Sequence, residues 1–139
     1  MSTLNDPVVI ERLLSTPARW TVVGLSTNSA RAAFGVALVL QELGMQIVPV
    51  HPAAQSVHGE PGFATLTAIP EPIDVVDIFV RSDLAGAVID EAIAIGAKAV
   101  WLQLGVIDEA AAQRALDAGL DVVMNRCPAI ERRVLGLPG

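Results

Sequence analysis

The sequence predicts an α/β protein built on a single doubly wound parallel β-sheet of about five strands, in the order 3-2-1-4-5. Short apolar runs alternate with amphipathic helical patterns, and three helices end at a glycine that leads into the next run, at Gly44, Gly96 and Gly119. The chain is 53% hydrophobic but only 4% aromatic, which favours buried parallel strands under Ala-rich helices. Repeated βα units imply right-handed crossovers.

The first half of the chain is expected to supply two helices and two strands. Residues 1–17 contain a helix over 7–14, which Asp6 or Asn5 caps, and a linker to the sheet. A strand over 21–25 leads into a helix over 31–43, where apolar residues recur from Val36 with helical spacing. The second strand is predicted over 45–50.

The second half repeats this pattern after an irregular crossover. Prolines interrupt residues 51–72 and leave room for a short helical piece at 65–69 and a short extra strand. The remaining elements are predicted as a strand over 73–80, a helix capped by Ser82 or Asp83, a strand over 97–104, a helix over 109–118 capped by Asp108, a strand over 120–124 and a helix over 131–135. Residues 136–139 are expected to fray.

Length and charge narrow the classes of function. The 139 residues suit one domain, 1–139. A net charge of −6, without a basic run, argues against a nucleic-acid surface. No segment is long and apolar enough to span a bilayer, so a soluble cytoplasmic protein with no membrane contact is expected. One cysteine and two histidines favour neither a disulfide framework nor a structural metal.

Polar residues gather where the predicted strands end. In an open parallel sheet, ligands bind beyond the carboxyl ends of the strands, where the strand order reverses. The strand ends carry Ser26 to Ser29, His51-Pro52, Arg81-Ser82, Gln103 and Asn125 to Cys127, whereas the strand interiors are almost wholly apolar. The sequence therefore predicts a ligand site at this edge of the sheet.

The first βα turn is a candidate phosphate site. It lacks the G-x-G-x-x-G fingerprint, because only Gly24 and Gly35 are present. The turn still leads into a helix N-terminus, whose free N–H groups suit a phosphate, and Arg31 adds positive charge. The alternative is that Asn28 and Ser29 only cap the helix.

The end of the second strand argues against ordinary NAD recognition. NAD sites place an acidic side chain there for the ribose hydroxyls, and this chain has Val50-His51-Pro52. His51 either contacts a nucleotide or packs within its loop. Gln103 likewise either contacts the ligand or only shapes its turn.

Taken together, these segments resemble the stand-alone CoA-binding domain family, relatives of the N-terminal CoA-binding domain of the succinyl-CoA synthetase alpha subunit. The segments that carry the resemblance are Val22–Ser26, Val48–Pro52, Gly62–Leu66, Val75–Phe79, Trp101–Val106 and Cys127–Glu131. The resemblance implies a Rossmann-like fold that holds coenzyme A by its nucleotide end.

The resemblance also implies which residues form the site. The pyrophosphate loop corresponds to Ser26 and residues 27–31, and the segment near the adenosine corresponds to His51-Pro52. The family often has Pro-Ser where this chain has Ala32-Ala33, and an arginine where it has Val80. The predicted cofactor-binding residues are Gly24, Ser26, Thr27, Asn28, Ser29, Arg31, His51, Pro52, Arg81 and Gln103.

The sequence favours binding without catalysis. Cys127 is the one candidate nucleophile, either reactive at a helix start beside Arg126, where it would pair with the CoA thiol, or buried and structural. Asp77, inside an apolar strand, requires a hydrogen-bond partner if it is buried, and a structural role is expected for it. The alternatives to a CoA-binding module are a small NAD(P)-binding oxidoreductase or enzyme fragment and a protein-interaction scaffold without a ligand. The sequence names no protein partner.

Overall fold

The computed structural model describes residues 3–138. Its elements are, in chain order, α1 (Pro7–Ser15), β1 (Arg19–Val23), α2 (Ala32–Glu42), β2 (Gln46–Val50), a 3-10 helix (Leu66–Ala68), β3 (Val75–Ile78), α3 (Ser82–Ala94), β4 (Ala99–Leu102), α4 (Glu109–Asp117), β5 (Asp121–Met124) and α5 (Pro128–Leu135). The predicted α/β class is confirmed.

The five strands form one parallel sheet in the order β2-β1-β3-β4-β5. Beyond β2, Phe63 makes a parallel bridge with Val50: its N–H donates to the Pro49 carbonyl at 2.9 Å, and its carbonyl accepts from His51 N–H at 3.0 Å. With this one-residue bridge counted as the third strand along the chain, the six strands lie in the order 3-2-1-4-5-6, which contains the predicted doubly wound order 3-2-1-4-5. The strand order reverses between β1 and β3, the place where such sheets bind ligands.

Each strand alternates its side chains between two apolar layers. On one face, Val23, Val76 and Leu102 pack with α3 and α4. On the other, Val22 and Trp101 pack with α1 and α2. Both faces of the sheet are therefore buried, as expected for a parallel sheet.

Four of the strands are shorter than predicted, and β1 keeps its predicted length but begins and ends two residues earlier, for local reasons. β1 ends at Val23 because Gly24 adopts a φ of +100°, and β4 ends at Leu102 because a turn begins at Gln103, whose carbonyl accepts from Val106 N–H at 2.8 Å. The flanking apolar residues Ile73 and Val80 lie in loops and still contribute to the apolar layer.

The structure confirms two of the predicted helix caps and contradicts a third. Asp6 and Asp108 accept backbone N–H groups from Val8 and Ala111 at 2.9 and 3.0 Å, which confirms both caps. The prediction that Ser82 or Asp83 caps α3 is wrong, because both lie inside that helix and Arg81 occupies the N-cap position.

The C-terminal helix is longer than predicted. α5 begins at Pro128, directly after Cys127, because proline suits the first helical position. The tail, which is expected to fray, begins with two bonds to α5: the N–H groups of Gly136 and Leu137 donate to carbonyls of that helix at 3.2 and 3.1 Å. Gly139 lies outside the described residues. In residues 3–138, no helix combines the length and the apolar character that crossing a membrane requires.

Candidate functional site

A cleft of about 790 Å³ opens at the carboxyl ends of β1, β2 and β3, beside the first turns of α2 and α3. Seven of the predicted site residues line it: Gly24, Ser26, Arg31, His51, Pro52, Arg81 and Gln103. The other three, Thr27, Asn28 and Ser29, lie in the same first turn but are not among the lining residues.

Gly24 fixes the course of the first turn. Its N–H donates to the Val50 carbonyl at 2.8 Å, and its φ of +100° lies in a region that favours glycine. A Cβ on Gly24 would lie 3.2 Å from the Phe79 Cβ. Glycine therefore lets β1 turn sharply against the end of β3.

The turn that follows is held by its own polar groups. The Ser26 hydroxyl accepts from Asn28 N–H at 3.2 Å, and the Asn28 side-chain oxygen accepts from Ala30 N–H at 3.0 Å. The alternative in which Asn28 and Ser29 cap α2 is wrong, because the N-cap position belongs to Arg31 and no side chain caps the helix. Phe34 N–H donates to the Arg31 carbonyl at 3.2 Å. The N–H groups of Ala32 and Ala33, which line the cleft, are thus left for another acceptor.

Thr27 has a hydrogen-bond partner that was not predicted from the sequence. The Gln55 side-chain oxygen accepts from the Thr27 hydroxyl at 3.2 Å and from its backbone N–H at 3.4 Å. Gln55 belongs to the irregular crossover, and only the three-dimensional path of that crossover brings it to the first turn.

His51 has one nitrogen committed to its own loop. Its Nδ1 accepts from Ala53 N–H at 3.1 Å, so in the neutral ring the proton is on Nε2. The ring is half-buried and, with Pro52, lines the cleft. His51 therefore packs within its loop, as one alternative expects, and it also faces the cleft; its contact with a nucleotide stays a prediction.

Arg81 and Gln103 lie on the side of the cleft nearest α3 and β4. The Arg81 guanidinium forms an exposed ion pair with Asp83 at 3.2 Å. Gln103 is 8% exposed, and its side-chain oxygen is buried without a hydrogen-bond partner among residues 3–138. A buried acceptor of this kind is costly unless a ligand or water satisfies it.

Two candidate residues lie outside the cleft. Cys127 is buried at the start of α5 and is not among the lining residues, so the structure favours its structural alternative. Asp77 is fully buried on the sheet face that packs against α2, and burial raises the pKa of its carboxyl well above the usual range. Asp77 is therefore a buried structural group and not a ligand contact.

Most of the apolar lining of the cleft was not predicted from the sequence. These residues come from the crossover, the β3 end, α3 and the β4 end: Ala64, Leu66, Phe79, Val80, Leu84, Val88, Leu104 and Val106. Five of them were inside segments that carried the family resemblance, but an apolar residue in such a segment looks like any core residue.

Comparison with known proteins places the chain in a family. The family model of the CoA binding domain matches residues 18–133. The uncharacterized protein YneT of Bacillus subtilis is 32% identical over 125 residues, which cover 90% of this chain and 93% of that one. A hypothetical protein from Pyrococcus horikoshii has the same fold, with a TM-score of 0.87, 34% identity and coverage of 94% and 92% of the two chains.

A larger enzyme contains a similar unit. The dinucleotide-forming acetyl-coenzyme A synthetase 1 of Ca. Korarchaeum cryptofilum, in complex with phosphate and ADP, matches with a TM-score of 0.68 and 25% identity; the match covers 84% of this chain and 27% of the synthetase. The resemblance read from the sequence is thus confirmed: the chain belongs to the CoA-binding domain family.

Proposed function

We propose that this protein binds coenzyme A in the cleft at the carboxyl edge of the sheet and catalyses no reaction by itself. The observation that carries the proposal is the uncapped N-terminus of α2, which adjoins Ser26 and Arg31 at the point where the strand order reverses. Free N–H groups, a helix dipole and a guanidinium together suit a pyrophosphate.

The conformation of the first turn also supports the proposal. Gly24 has no side chain to obstruct the turn, and the bonds of Ser26 and Asn28 hold the loop open ahead of α2. His51 and Pro52 stand beside this point, at the end of β2, where they would contact the nucleotide. The end of β2 carries no carboxylate that would favour the ribose of NAD.

The absence of catalysis is proposed from the bonding of the cleft residues. Ser26 and His51 both line the cleft, yet no hydrogen bond joins them, and each binds a backbone N–H of its own loop. A serine nucleophile requires an adjacent base. Within residues 3–138, the cleft therefore holds no assembled nucleophile and base.

Isothermal titration calorimetry tests the proposal. Ligand-stripped protein is titrated under reducing conditions with CoA, acetyl-CoA, NAD, NADP and ADP. CoA or acetyl-CoA is expected to bind at least about tenfold more tightly than NAD or NADP, a difference of about 1.4 kcal/mol. Equal or tighter binding of NAD or NADP would support the oxidoreductase alternative, and no binding of any of the five would contradict a nucleotide site.

A further inference from the structure

The cleft continues beyond the first turn as an apolar trough between α3 and the 3-10 helix. Its walls are Leu66, Val80, Leu84, Val88, Leu104 and Val106. Leu84 and Leu104 are 48% and 55% exposed, although both border a concave surface. Uncovered apolar side chains around a cleft typically mark a surface that an apolar group covers.

The trough follows one face of α3. Leu84, Val88 and Glu91 lie at positions i, i+4 and i+7, so they form a single row along the helix. The row is about 10 Å long at 1.5 Å of rise per residue. It begins with a leucine near the sheet edge and ends with the exposed carboxylate of Glu91.

The part of the wall formed by the turn after β4 is held by hydrogen bonds. Leu104 lies in the turn from Gln103 to Val106, in which Gly105 has a φ of +87°. Ser82 from α3 braces this turn, because its hydroxyl accepts from Ile107 N–H at 2.9 Å. Asn125, which directly follows β5, also braces it by accepting from Gly105 N–H at 2.7 Å. The trough therefore exists before any ligand binds.

Gln103 stands where the polar and apolar parts of the cleft meet. Its orphaned side-chain oxygen is an acceptor without a donor among the described residues. The arm of coenzyme A that follows the pyrophosphate carries amide N–H groups, which are donors of the required kind. A ligand whose arm passes Gln103 would direct its far end into the trough.

From this continuity we infer that the preferred ligand is an acyl-CoA with an uncharged, apolar acyl group, which lies in the trough beside Leu84 and Leu104. The inference rests on the proposed function. Glu91 at the far end of the row disfavours acyl groups that end in a carboxylate, because like charges repel.

A chain-length series tests this inference by calorimetry. The ligands are CoA and its acetyl, butyryl, hexanoyl, octanoyl and glutaryl thioesters. Affinity is expected to rise roughly two- to fourfold for each methylene from acetyl to octanoyl, since burial of one methylene is worth up to about 0.8 kcal/mol. Glutaryl-CoA is expected to bind more weakly than hexanoyl-CoA. Glu91→Gln is expected to reduce the ratio of the two affinities about two- to fivefold.

Substitutions of the two exposed leucines test whether the trough causes the dependence of affinity on chain length. In Leu84→Asp and Leu104→Asp, the affinity for the thioesters is expected to depend little on acyl chain length, while the affinity for ADP stays within about twofold. Val134→Asp, at a residue of α5 that is 75% exposed and not among the cleft residues, is the matched control and should keep the chain-length dependence.

The outcomes separate this inference from the proposed function. If affinity does not change with acyl chain length in a protein that still binds CoA, the acyl assignment is overturned and the proposed function stands. Equal loss in Val134→Asp would likewise overturn it. Failure to bind CoA and every thioester would instead contradict the proposed function itself.

Discussion

Asp77 lies opposite Trp101 in the register of β3 and β4, with neither carboxyl oxygen hydrogen-bonded among residues 3–138. Val22 flanks it on the other side, in β1. Trp20 Nε1, on the same face and diagonal to Asp77, is also buried and has no hydrogen-bond partner in the described part of the chain. Burial raises the pKa of the Asp77 carboxyl well above its ordinary value, which favours the neutral acid in the folded protein.

Stability should therefore fall as the pH rises through the range in which Asp77 ionises. Below the unfolded pKa the carboxyl is protonated in both states; as the pH rises towards the folded pKa, only the unfolded chain loses the proton and gains stability. Asp77→Asn removes this titration. The melting temperature of Asp77→Asn relative to that of the original protein should increase as the pH rises, as measured by thermal unfolding from pH 4 to 9.

The exposed Asp83→Asn serves as the control for this prediction and should follow the pH profile of the original protein. Parallel profiles for Asp77→Asn and the original protein would show that Asp77 does not titrate differently in the two states.

Arg31 should contribute a charge-assisted hydrogen bond to the pyrophosphate. Arg31→Ala is expected to weaken CoA binding by about 1.5 to 3 kcal/mol, a factor of roughly 10 to 150, without loss of the fold. Calorimetry measures the affinity and circular dichroism the fold. Arg133→Ala, an exposed arginine on α5 away from the cleft, is the control. Unchanged affinity in Arg31→Ala would show that the phosphates bind elsewhere.

Gly62 has no room for a side chain. A Cβ there would lie 2.1 Å from the Gln55 carbonyl oxygen, which belongs to the backbone. Gly62→Ala is expected to destabilise the protein by about 1 to 3 kcal/mol, because the crossover must shift. Denaturant unfolding measures the change.

A matched glycine gives the opposite expectation. In α2, a Cβ on Gly35 would meet nothing within 4 Å, so Gly35→Ala should stabilise the protein by about 0.5 to 1 kcal/mol. A similar loss of stability in Gly62→Ala and Gly35→Ala would mean that the contact with the Gln55 carbonyl oxygen does not cause the destabilisation.

Ser82 should matter more for the CoA arm than for the nucleotide. Ser82→Ala removes the acceptor of the Ile107 N–H and loosens the turn that carries Leu104. We expect a loss of about 1 kcal/mol in stability and weaker binding of CoA with little change for ADP. Ser15→Ala, on the surface of α1, is the control. Equal weakening of CoA and ADP would contradict a role confined to the arm.

The sequence predicted the framework well because local patterns determine it. Gly44, Gly96 and Gly119 all adopt positive φ, at 91°, 79° and 91°, and each ends a helix before a strand. Asp108 caps α4 as expected, since its cap depends on residues three positions apart. Seven of the ten predicted site residues line one cleft because parallel strands end at the same edge.

What the sequence did not predict depends on contacts between distant segments. The hydroxyl of Ser82 is braced against Ile107 and does not cap α3. Gln55 reaches Thr27 across 28 positions of the chain. Leu84 and Leu104 were indistinguishable from core residues until their exposure at the cleft was known.

The one-residue bridge at Phe63 also bears on aggregation. Gln46 N–H donates to Ala18, and the Val50 carbonyl accepts from Gly24, so the even-numbered residues of β2 pair towards β1 and the odd-numbered ones point outward. Of the outward residues, Pro49 has no N–H, and its carbonyl is taken by Phe63. Ile47 is left as the single outward amide donor of β2. This edge of the sheet is therefore poorly suited to pair with a strand of another chain, which protects a strongly apolar sheet from growing into larger assemblies.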